Sequence, residues 1–311
     1  MKFLRRRSPR ASLSCAMLLA LAVMIGLSGC SSTSPAGPLA AATVNGHAIA
    51  LDDYEQLLAF AEAASSTGGP YNWQSDTGRT NAGNVQSQVL GFLVNLELMR
   101  EALADQHTSI SAKELQVAEK QFDDNIKSGE TSSDPTTKED AEAQLPYVTG
   151  RVRYLISEQT AYEAKLISVL NLWTVHLYDI IVSTKSQADQ LLSQLQGGAD
   201  FAQLAEKTSP NATYDYGTAW YGELPTVFST PVFGANPDKD TPPKYSVVAY
   251  NDQYVVTEVT DKAKQKLSTV TDTTSQTNIF SAWLQNVYYN TMKHQEFVYI
   301  PAAATQQATQ G

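Results

Sequence analysis

The spacing of the apolar residues changes near residue 174, and this change is the strongest constraint on the fold. Up to residue 172 the apolar residues recur mostly at helical intervals, most regularly from Val85 to Gln106. Val175 to Val182 is instead a β-rich run, followed by two short helical patterns and by two alternating strands around Asn251-Asp252. A last helical pattern covers roughly Thr273 to Lys293. These patterns predict an α+β protein in which a helical part is interrupted by a small α/β module.

Residues with known turn and capping preferences set the expected ends of several elements. Asn45-Gly46 is expected to close a short β-hairpin, and Asp52 is expected to cap the helix that follows it. Ser65 to Gly83 contains Gly, Pro, Asn and Ser with little periodicity, which predicts a loop. Ser111-x-x-Glu114 is a capping box that opens another helix, and Pro146 is expected to kink or split a longer one.

The first 29 residues have the features of a secretory signal. They contain five basic residues and no acidic one, and their apolar run, Leu13 to Ile25, is too short for a comfortable membrane span. Leu27-Ser28-Gly29-Cys30 also resembles the bacterial lipobox, whose cysteine is lipidated and becomes the first residue of the mature chain. The alternative is an ordinary signal peptide that contains a cysteine. The Ser/Pro/Gly-rich stretch after Cys30 is interpreted as a flexible tether.

Composition excludes several classes of function. Of the 22 basic residues, 17 lie beyond residue 29 and face 32 acidic ones, so nucleic acid is not an expected partner. With one of the two cysteines in the signal and the other lipidated, no disulfide is expected. The four histidines, His47, His107, His176 and His294, are widely separated and predict no metal site. The sequence has no nucleophile elbow, which argues against a hydrolase, and no cofactor is expected.

Several segments of the module occur in a recognisable order. They are the strand Val175 to Val182, Ala188-x-x-Leu191-Leu192-x-x-Leu195-x-x-Gly198-Ala199-Asp200-Phe201-x-x-Leu204-Ala205, Trp220-Tyr221-Gly222, Phe228, Phe233 and a strand ending Val259-Thr260-Asp261. In this order they resemble a parvulin-type peptidyl-prolyl isomerase domain, and Gly-Ala-Asp-Phe-x-x-Leu-Ala is the most specific piece. A Val-Asn-Gly hairpin before several helices, with a helix after the module, resembles PrsA and SurA foldases. The resemblance covers roughly Ala42 to Ile300.

The resemblance implies an order of domains. In these foldases the N- and C-terminal segments pack together as a helical chaperone domain, and the parvulin-like module is inserted between them. Residues 1–29 are then a lipoprotein signal peptide, 30–42 a tether, 43–173 the N-terminal helical chaperone domain and 174–263 the module. Residues 264–300 return to the chaperone domain as a helix and a strand, and residues 301–311 are a disordered tail.

The resemblance also assigns candidate catalytic residues, although the histidines of the family are replaced. Active parvulins have Ser-His-Ile-Leu on the first strand where this chain has Tyr178-Asp179-Ile180-Ile181, so Asp179 stands at the first active-site histidine. Asn211 falls near the family's Asp or Cys, and Tyr254 or Val255 falls near its second histidine. From the residues alone, Asp179 instead ends a strand or faces solvent.

An apolar pocket for a proline ring is the other half of the implied site. Leu224, Phe228 and Phe233 are its expected lining, and Tyr254 is a further candidate for substrate binding. The alternative is that the two phenylalanines belong to the core. Trp220, between them and the preceding strand, is expected to be structural.

Two functions follow from the resemblance. In the first, the chain is an extracytoplasmic foldase, anchored to the cell membrane or outer membrane by lipid on Cys30, that isomerises prolyl bonds in secreted polypeptides. In the second, it is an inactive parvulin-like holdase that only binds unfolded polypeptide. Rotation of a prolyl bond breaks no covalent bond and has a barrier near ~20 kcal/mol, so a dry pocket and one hydrogen bond to the twisted amide are enough in principle to accelerate it.

Overall fold

The computed structural model describes residues 40–63, 76–210, 213–289 and 295–297. In chain order its elements are β1 (Ala40–Val44), β2 (His47–Ala50), α1 (Leu51–Ala63), α2 (Asp76–Asp105), α3 (Ala112–Glu130), α4 (Pro135–Gln144), α5 (Gly150–Val169), β3 (Asn171–Val182), α6 (Lys185–Gln196), α7 (Phe201–Thr208), β4 (Asp215–Trp220), α8 (Thr226–Phe233), β5 (Tyr245–Tyr250), β6 (Gln253–Lys266), α9 (Thr273–Trp283) and β7 (Gln295–Phe297). A π-helical turn, Leu284–Tyr288, continues α9. Helices combined with two antiparallel sheets confirm the predicted α+β class. None of the described helices is both long and apolar enough to cross a lipid bilayer.

The described residues form two compact units. The first unit comprises the chain up to Arg100, Ser109–Tyr162 and the strand β7. The second unit comprises Glu101–Thr108 and Glu163–Met292. Helices α2 and α5 therefore begin in the first unit and end in the second. The second unit includes α9, whereas the sequence assigned residues 264–300 to the chaperone domain. The predicted domain boundaries stay predictions.

Turn and capping chemistry shapes the first unit. Strand β1 lies between β2 and β7, and Asn45 and Gly46 close the β1–β2 hairpin with φ angles of 48° and 89°. Ser111 caps α3, because its hydroxyl accepts the Glu114 N–H at 3.2 Å while the Glu114 carboxylate accepts the Ser111 N–H at 2.6 Å. The predicted hairpin turn and capping box are both confirmed.

Ion pairs connect α5 to earlier helices of the first unit. Arg151 donates two hydrogen bonds of 2.6 Å to Asp53 of α1, and Arg153 donates two, of 2.8 and 2.6 Å, to Asp123 of α3. Such two-pronged contacts fix the orientation of both side chains better than a single bond does. They therefore hold α5 against α1 and α3 in one register.

A buried charged cluster links α2 to α5 in the same unit. The guanidinium of Arg100 donates to the carboxylates of Glu97 and Glu158, both of which are buried. Tyr162 donates to Glu158 at 2.5 Å, and burial together with this hydrogen bond raises the pKa of Tyr162 to about 12. His47, on β2, pairs with Glu97 at 2.7 Å. Arg100 thus binds two buried carboxylates, each of which has a further polar partner.

Two local expectations about the first helices are wrong. Asp52 lies inside the first turn of α1, which begins at Leu51, so it is not the cap. Helix α2 begins at Asp76, so the predicted loop from Ser65 to Gly83 is wrong over residues 76–83, while residues 64–75 lie outside the described chain. Each residue added to an existing helix gains a hydrogen bond, so a helix extends beyond its periodic segment without an apolar pattern of its own. Pro146 does separate α4 from α5, as predicted.

The second unit is built on a four-stranded antiparallel sheet in the order β4-β3-β6-β5. Successive side chains of a strand face opposite sides of a sheet, so each face has its own core. On one side α6 and α7 pack against the sheet. The core there consists of the residues Ile180, Val182, Val256, Ala188, Leu191, Leu195, Phe201, Leu204 and Ala205. On the other side α8 and the turn after β4 pack against the sheet. The core there consists of the residues Val175, Leu177, Ala219, Leu224, Phe228, Val232, Phe233, Val248, Val255 and Val259. The second side is called the α8 face below.

Helix α9 is attached to the second unit through the turn that follows β4. The Asn286 side chain donates to the carbonyl oxygens of Gly222 at 2.8 Å and Leu224 at 3.2 Å. Gly222 has a φ of 89°, and a Cβ added there would lie 2.9 Å from the Cα of Trp283. Both the backbone angle and the close approach require glycine at this position.

Candidate functional site

A row of polar side chains crosses the α8 face near the C-terminal end of β3. Asp179 of β3 is paired with Thr257 of β6, and Thr257 is paired with Ser246 of β5. Alternation along β6 puts Thr257 on the same side as Val255 and Val259, which belong to the core under α8. We call Asp179, Thr257 and Ser246 the polar row.

The polar row is only partly satisfied. Asp179 is half-buried, and burial raises the pKa of its carboxyl group above the ordinary value. Thr257 is fully buried, and its hydroxyl has no hydrogen-bond partner among the described residues. Ser246 donates to the carbonyl oxygen of Pro231 in α8 at 3.4 Å. Of the row, Asp179 and Ser246 are partly exposed and can bond to a polar group such as an amide, whereas the Thr257 hydroxyl is closed to solvent.

The phenol of Tyr216 lies near this row, and a second carboxyl group, that of Glu223, also acts on it. Tyr216 sits at an irregularity in the β3–β4 pairing and is 50% exposed. Burial raises the pKa of Tyr216, and the charges of Glu223 and Asp179 raise it further, so both carboxylates act on one phenol. Burial also raises the pKa of Glu223, although the Trp220 N–H donates to it at 2.8 Å. Glu223 lies toward the opposite end of β3 from Asp179, because Trp220 is paired with Thr174, so the two carboxylates act on Tyr216 from different sides.

Exposed apolar side chains border the polar row. Ile181 shares the α8 face with Asp179 and is 47% exposed, while Val227 of α8 is 45% exposed. Tyr250, at the end of β5, is 37% exposed and meets the Phe228 ring edge-on with 5.4 Å between centroids. We call Ile181, Val227 and Tyr250 the apolar rim. Together the row and the rim offer both a hydrogen-bonding and an apolar surface to a ligand.

The structure brings some of the sequence-predicted residues together and separates others. Leu224, Phe228 and Phe233 all lie in the core under α8, each less than a tenth exposed. Phe233 meets Tyr221 edge-on at 5.5 Å, as a core ring does. These three side chains belong to the core and are not an open surface; of the three, Phe228 contacts the rim, through Tyr250. Tyr254 packs with α6 and α7 on the opposite side of the sheet, away from Asp179.

Two further candidates cannot be placed. Asn211 and Cys30 lie outside the described residues. The segment from Trp220 to Phe233 contains α8, which has Pro231 as its sixth residue.

Sequence reasoning missed Thr257 and the apolar rim. It put the second histidine position of the family at Tyr254 or Val255, but the register of β3 with β6 puts Thr257 opposite Asp179. The alternation Val255, Thr257, Val259 was a usable signal, because it marks one polar residue on an otherwise apolar face. Nothing in the sequence indicates that Ile181 is exposed, since the neighbouring β3 residues on both faces of the sheet are apolar.

Comparison with known proteins relates the chain to a family of chaperones. Residues 1–133 match the family model described as SurA-like N-terminal domain. No curated protein matches the sequence significantly. Among solved structures, the peptidylprolyl isomerase PrsA of Bacillus anthracis is 16% identical over 65% of this chain and 94% of its own, with a TM-score of 0.30.

Two other solved structures are similarly distant. The foldase protein PrsA of Streptococcus pneumoniae is 17% identical over 78% of this chain and 96% of its own, with a TM-score of 0.26. A structure from Campylobacter jejuni, reported for the SurA-like chaperones PEB4 and Cj1289, is 14% identical over 88% of this chain and 96% of its own, with a TM-score of 0.27.

The family match defines the class of the N-terminal part. Residues 1–133, less than half of the chain, are similar to a SurA-like N-terminal domain. The predicted relationship to proteins of the PrsA/SurA type is therefore confirmed, on the family match alone.

Proposed function

We propose that this chain is an extracytoplasmic foldase that binds unfolded secreted polypeptides and is held at a membrane by lipid on Cys30. The observation that carries the proposal is the SurA-like domain over residues 1–133. The basic and apolar signal and the sequence Leu27-Ser28-Gly29-Cys30 support export and lipidation. The domain order of the sequence analysis, with a parvulin-like module over residues 174–263, is part of the proposal.

The second unit binds extended segments of the client at the end of its α8 face. Side chains of an extended segment rest on the apolar rim, and its backbone amides bond to Asp179 of the polar row. Exposed apolar side chains beside a partly satisfied polar group support this assignment, because they gain from a partner that supplies both kinds of contact.

Prolyl isomerisation is the second candidate function, and the position of Asp179 favours it. Its carboxyl group lies on the same face as the core around Phe228, so a proline ring on the rim would put its amide near a hydrogen-bonding group. An interaction that is stronger with the twisted amide than with the planar one lowers the barrier. The burial of Leu224 and Phe233 limits how deeply a ring can enter.

Two assays test these functions separately. Light scattering of an unfolded client tests binding, and we expect suppression of aggregation at equimolar chain; no suppression would contradict the foldase proposal. Relaxation of proline tetrapeptides from cis to trans tests catalysis. Background rates for every peptide, with aggregation suppressed, would leave only the holdase. A gain in rate for Asp179→His would show that the surroundings still accept a prolyl bond.

A further inference from the structure

Strand β5 is an edge of the four-stranded sheet, and its hairpin turn determines which of its backbone groups point away from the sheet. Asn251 and Asp252 form a two-residue turn with φ angles of 49° and 59°. The residues that flank such a turn, here Tyr250 and Gln253, exchange both backbone hydrogen bonds. Along an antiparallel pair, residues bonded in this way alternate with residues whose N–H and C=O groups point outwards.

The outward groups of β5 belong to Tyr245, Val247 and Ala249. The register with β6 is regular over the whole strand, and the Val259 N–H donates to the Lys244 carbonyl oxygen at 2.8 Å, as this alternation requires. Three N–H and three C=O groups therefore point away from β6, and no other strand or backbone group among the described residues bonds to them. We call these six groups the β5 edge.

The opposite edge of the sheet is protected against pairing, whereas the β5 edge is not. In β4, the pairing with β3 is irregular near Tyr216, and the Trp220 N–H donates to the Glu223 carboxylate at 2.8 Å. Natural sheets use irregularities, prolines and charged residues to keep their edges from pairing with another chain. The sequence of β5, Tyr-Ser-Val-Val-Ala-Tyr, contains neither a charge nor a proline. Lys244, directly before β5, pairs instead with Glu258 of β6 at 3.1 Å.

An extended segment of a client fits this edge and the surface beside it. A polypeptide strand supplies C=O and N–H groups at the same repeat, about 7 Å for every two residues. Tyr250 of the apolar rim is the last residue of β5, and Val227 of the rim lies on α8, which packs against β5. The β5 edge therefore continues the surface that the proposed function already assigns to clients.

A second copy of the chain fits the edge less well. A stable interface between two proteins uses roughly 20–30 residues a side, whereas β5 has 6 residues. Two copies would also bring together the same excess of acidic residues, 32 against 22 basic ones, and the uncharged β5 offers nothing to offset that repulsion.

We propose that the second unit holds an extended client segment as a fifth strand on the β5 edge. Backbone hydrogen bonds to Tyr245, Val247 and Ala249 bind the segment whatever its sequence, and alternate side chains lie on the side of the sheet that carries Tyr250. The proposal rests on the proposed binding of unfolded polypeptides and states how the second unit holds them.

Amide hydrogen exchange, followed by NMR, tests the pairing directly. The probe is a fluorescently labelled nonapeptide in which Val and Ser alternate. With this peptide at about ten times its Kd, we expect the N–H groups of Tyr245, Val247 and Ala249 to exchange about tenfold more slowly, because only about a tenth of the chain is then free. The N–H groups of Ser246 and Val248 face β6 with or without the peptide and are the internal control.

Two changes remove backbone pairing, and fluorescence anisotropy measures their effect on affinity. N-methylation of three consecutive amides of the peptide keeps its side chains but removes donors, and it should weaken binding at least about tenfold. Val247→Pro removes one outward N–H without removing a bond to β6, and it should weaken the unmethylated peptide about tenfold. Val247→Thr is the matched control, because it keeps the N–H and the branched shape; it should change the affinity less than about twofold.

The outcomes separate this proposal from the proposed function. Bound peptide without slower exchange of the outward amides, or equal affinity of the methylated and unmethylated peptides, would overturn the β5 edge as the site while binding of clients stands. Slow exchange of the same amides without peptide, together with a dimer in sedimentation, would overturn it in favour of a second copy. If the chain neither suppresses aggregation nor binds the peptide, the proposed function itself fails. If Val247→Pro does not fold, hydrogen exchange and the methylated peptide still decide.

Discussion

Replacing Gly222 with alanine tests how α9 is attached to the second unit. Gly222 lies in the turn between β4 and α8, with a φ of 89° that side-chain-bearing residues rarely adopt. An added Cβ would lie 2.9 Å from the Cα and 3.0 Å from the Cδ1 of Trp283, which is buried. The Cα cannot turn away as a flexible side chain would, so α9 or the turn must move.

The expected cost has two parts. The left-handed backbone angle costs about 1 kcal/mol for a residue with a Cβ. Forcing α9 from a packed contact costs about 2 kcal/mol, within the usual range for overpacked sites. We therefore expect the free energy of unfolding of the second unit to fall by about 3 kcal/mol, and the Asn286 bonds to the turn to weaken with it.

Urea unfolding followed by far-UV circular dichroism measures this change. A loss of about 3 kcal/mol lowers the transition midpoint by roughly 1 M for a chain with a slope of about 3 kcal/mol/M. The matched control is Gly198→Ala, since Gly198 has a φ of 94° but nothing within 4 Å of an added Cβ. It should cost only the backbone part, about 1 kcal/mol. Equal losses for the two variants would refute the packing of α9 against Gly222.

Four more outcomes follow from contacts of single side chains. Lys262→Met removes three hydrogen bonds of 2.6 to 3.0 Å to backbone carbonyls and should cost about 2–3 kcal/mol in urea unfolding. Lys264→Met is the control: it loses one exposed ion pair and should cost less than about 1 kcal/mol. Ser111→Ala removes the capping box of α3 and should cost about 1 kcal/mol in the same assay. Arg100→Met removes the guanidinium that binds both Glu97 and Glu158 and should cost about 3–5 kcal/mol in urea unfolding at pH 7; a loss below about 1 kcal/mol would contradict this. Folding raises the pKa of the Asp179 carboxyl group, so this group contributes most to stability below its unfolded-state pKa. The contribution is lost as pH rises through its folded-state pKa. Between acid and neutral pH, the thermal midpoint of Asp179→Asn should therefore fall less than that of the unchanged chain.

Features set by neighbouring residues were accessible from the sequence. The Asn45-Gly46 turn and the Ser111 capping box involve groups no more than three residues apart, so residue type alone determines the geometry. Asp200 likewise caps α7 by accepting the Gln203 N–H at 2.9 Å. Asp52 shows the limit of this approach, because α1 begins one residue earlier, directly after β2.

Features set by strand register were not accessible. Tyr254 and Thr257 lie three residues apart on one strand, and only the pairing of β6 with β3 decides which of them is opposite Asp179. The spacing of apolar residues also does not reveal whether Phe228 and Phe233 are core or surface, since both interpretations require the same residue types. The helix around Pro231 was missed because proline usually ends helices, although a helix of eight residues tolerates it.

The position of the candidate site follows from a difference in length between the elements that form the α8 face. Strand β3 has 12 residues and spans about 40 Å, whereas α8 has 8 residues and spans about 12 Å. At the Trp173 end of the sheet, the turn after β4 packs on the part of the α8 face that α8 does not reach. Lys262 lies over the Trp173 ring there, 4.7 Å from its centroid. At the opposite end Val248 of β5 and Val255 of β6 are buried in the core under α8, whereas Ile181, in the same row across the sheet, is exposed. A short helix on a long sheet therefore leaves one end open, and in this chain that end combines an uncompensated acid with exposed apolar side chains. The short helix is therefore what leaves this surface exposed.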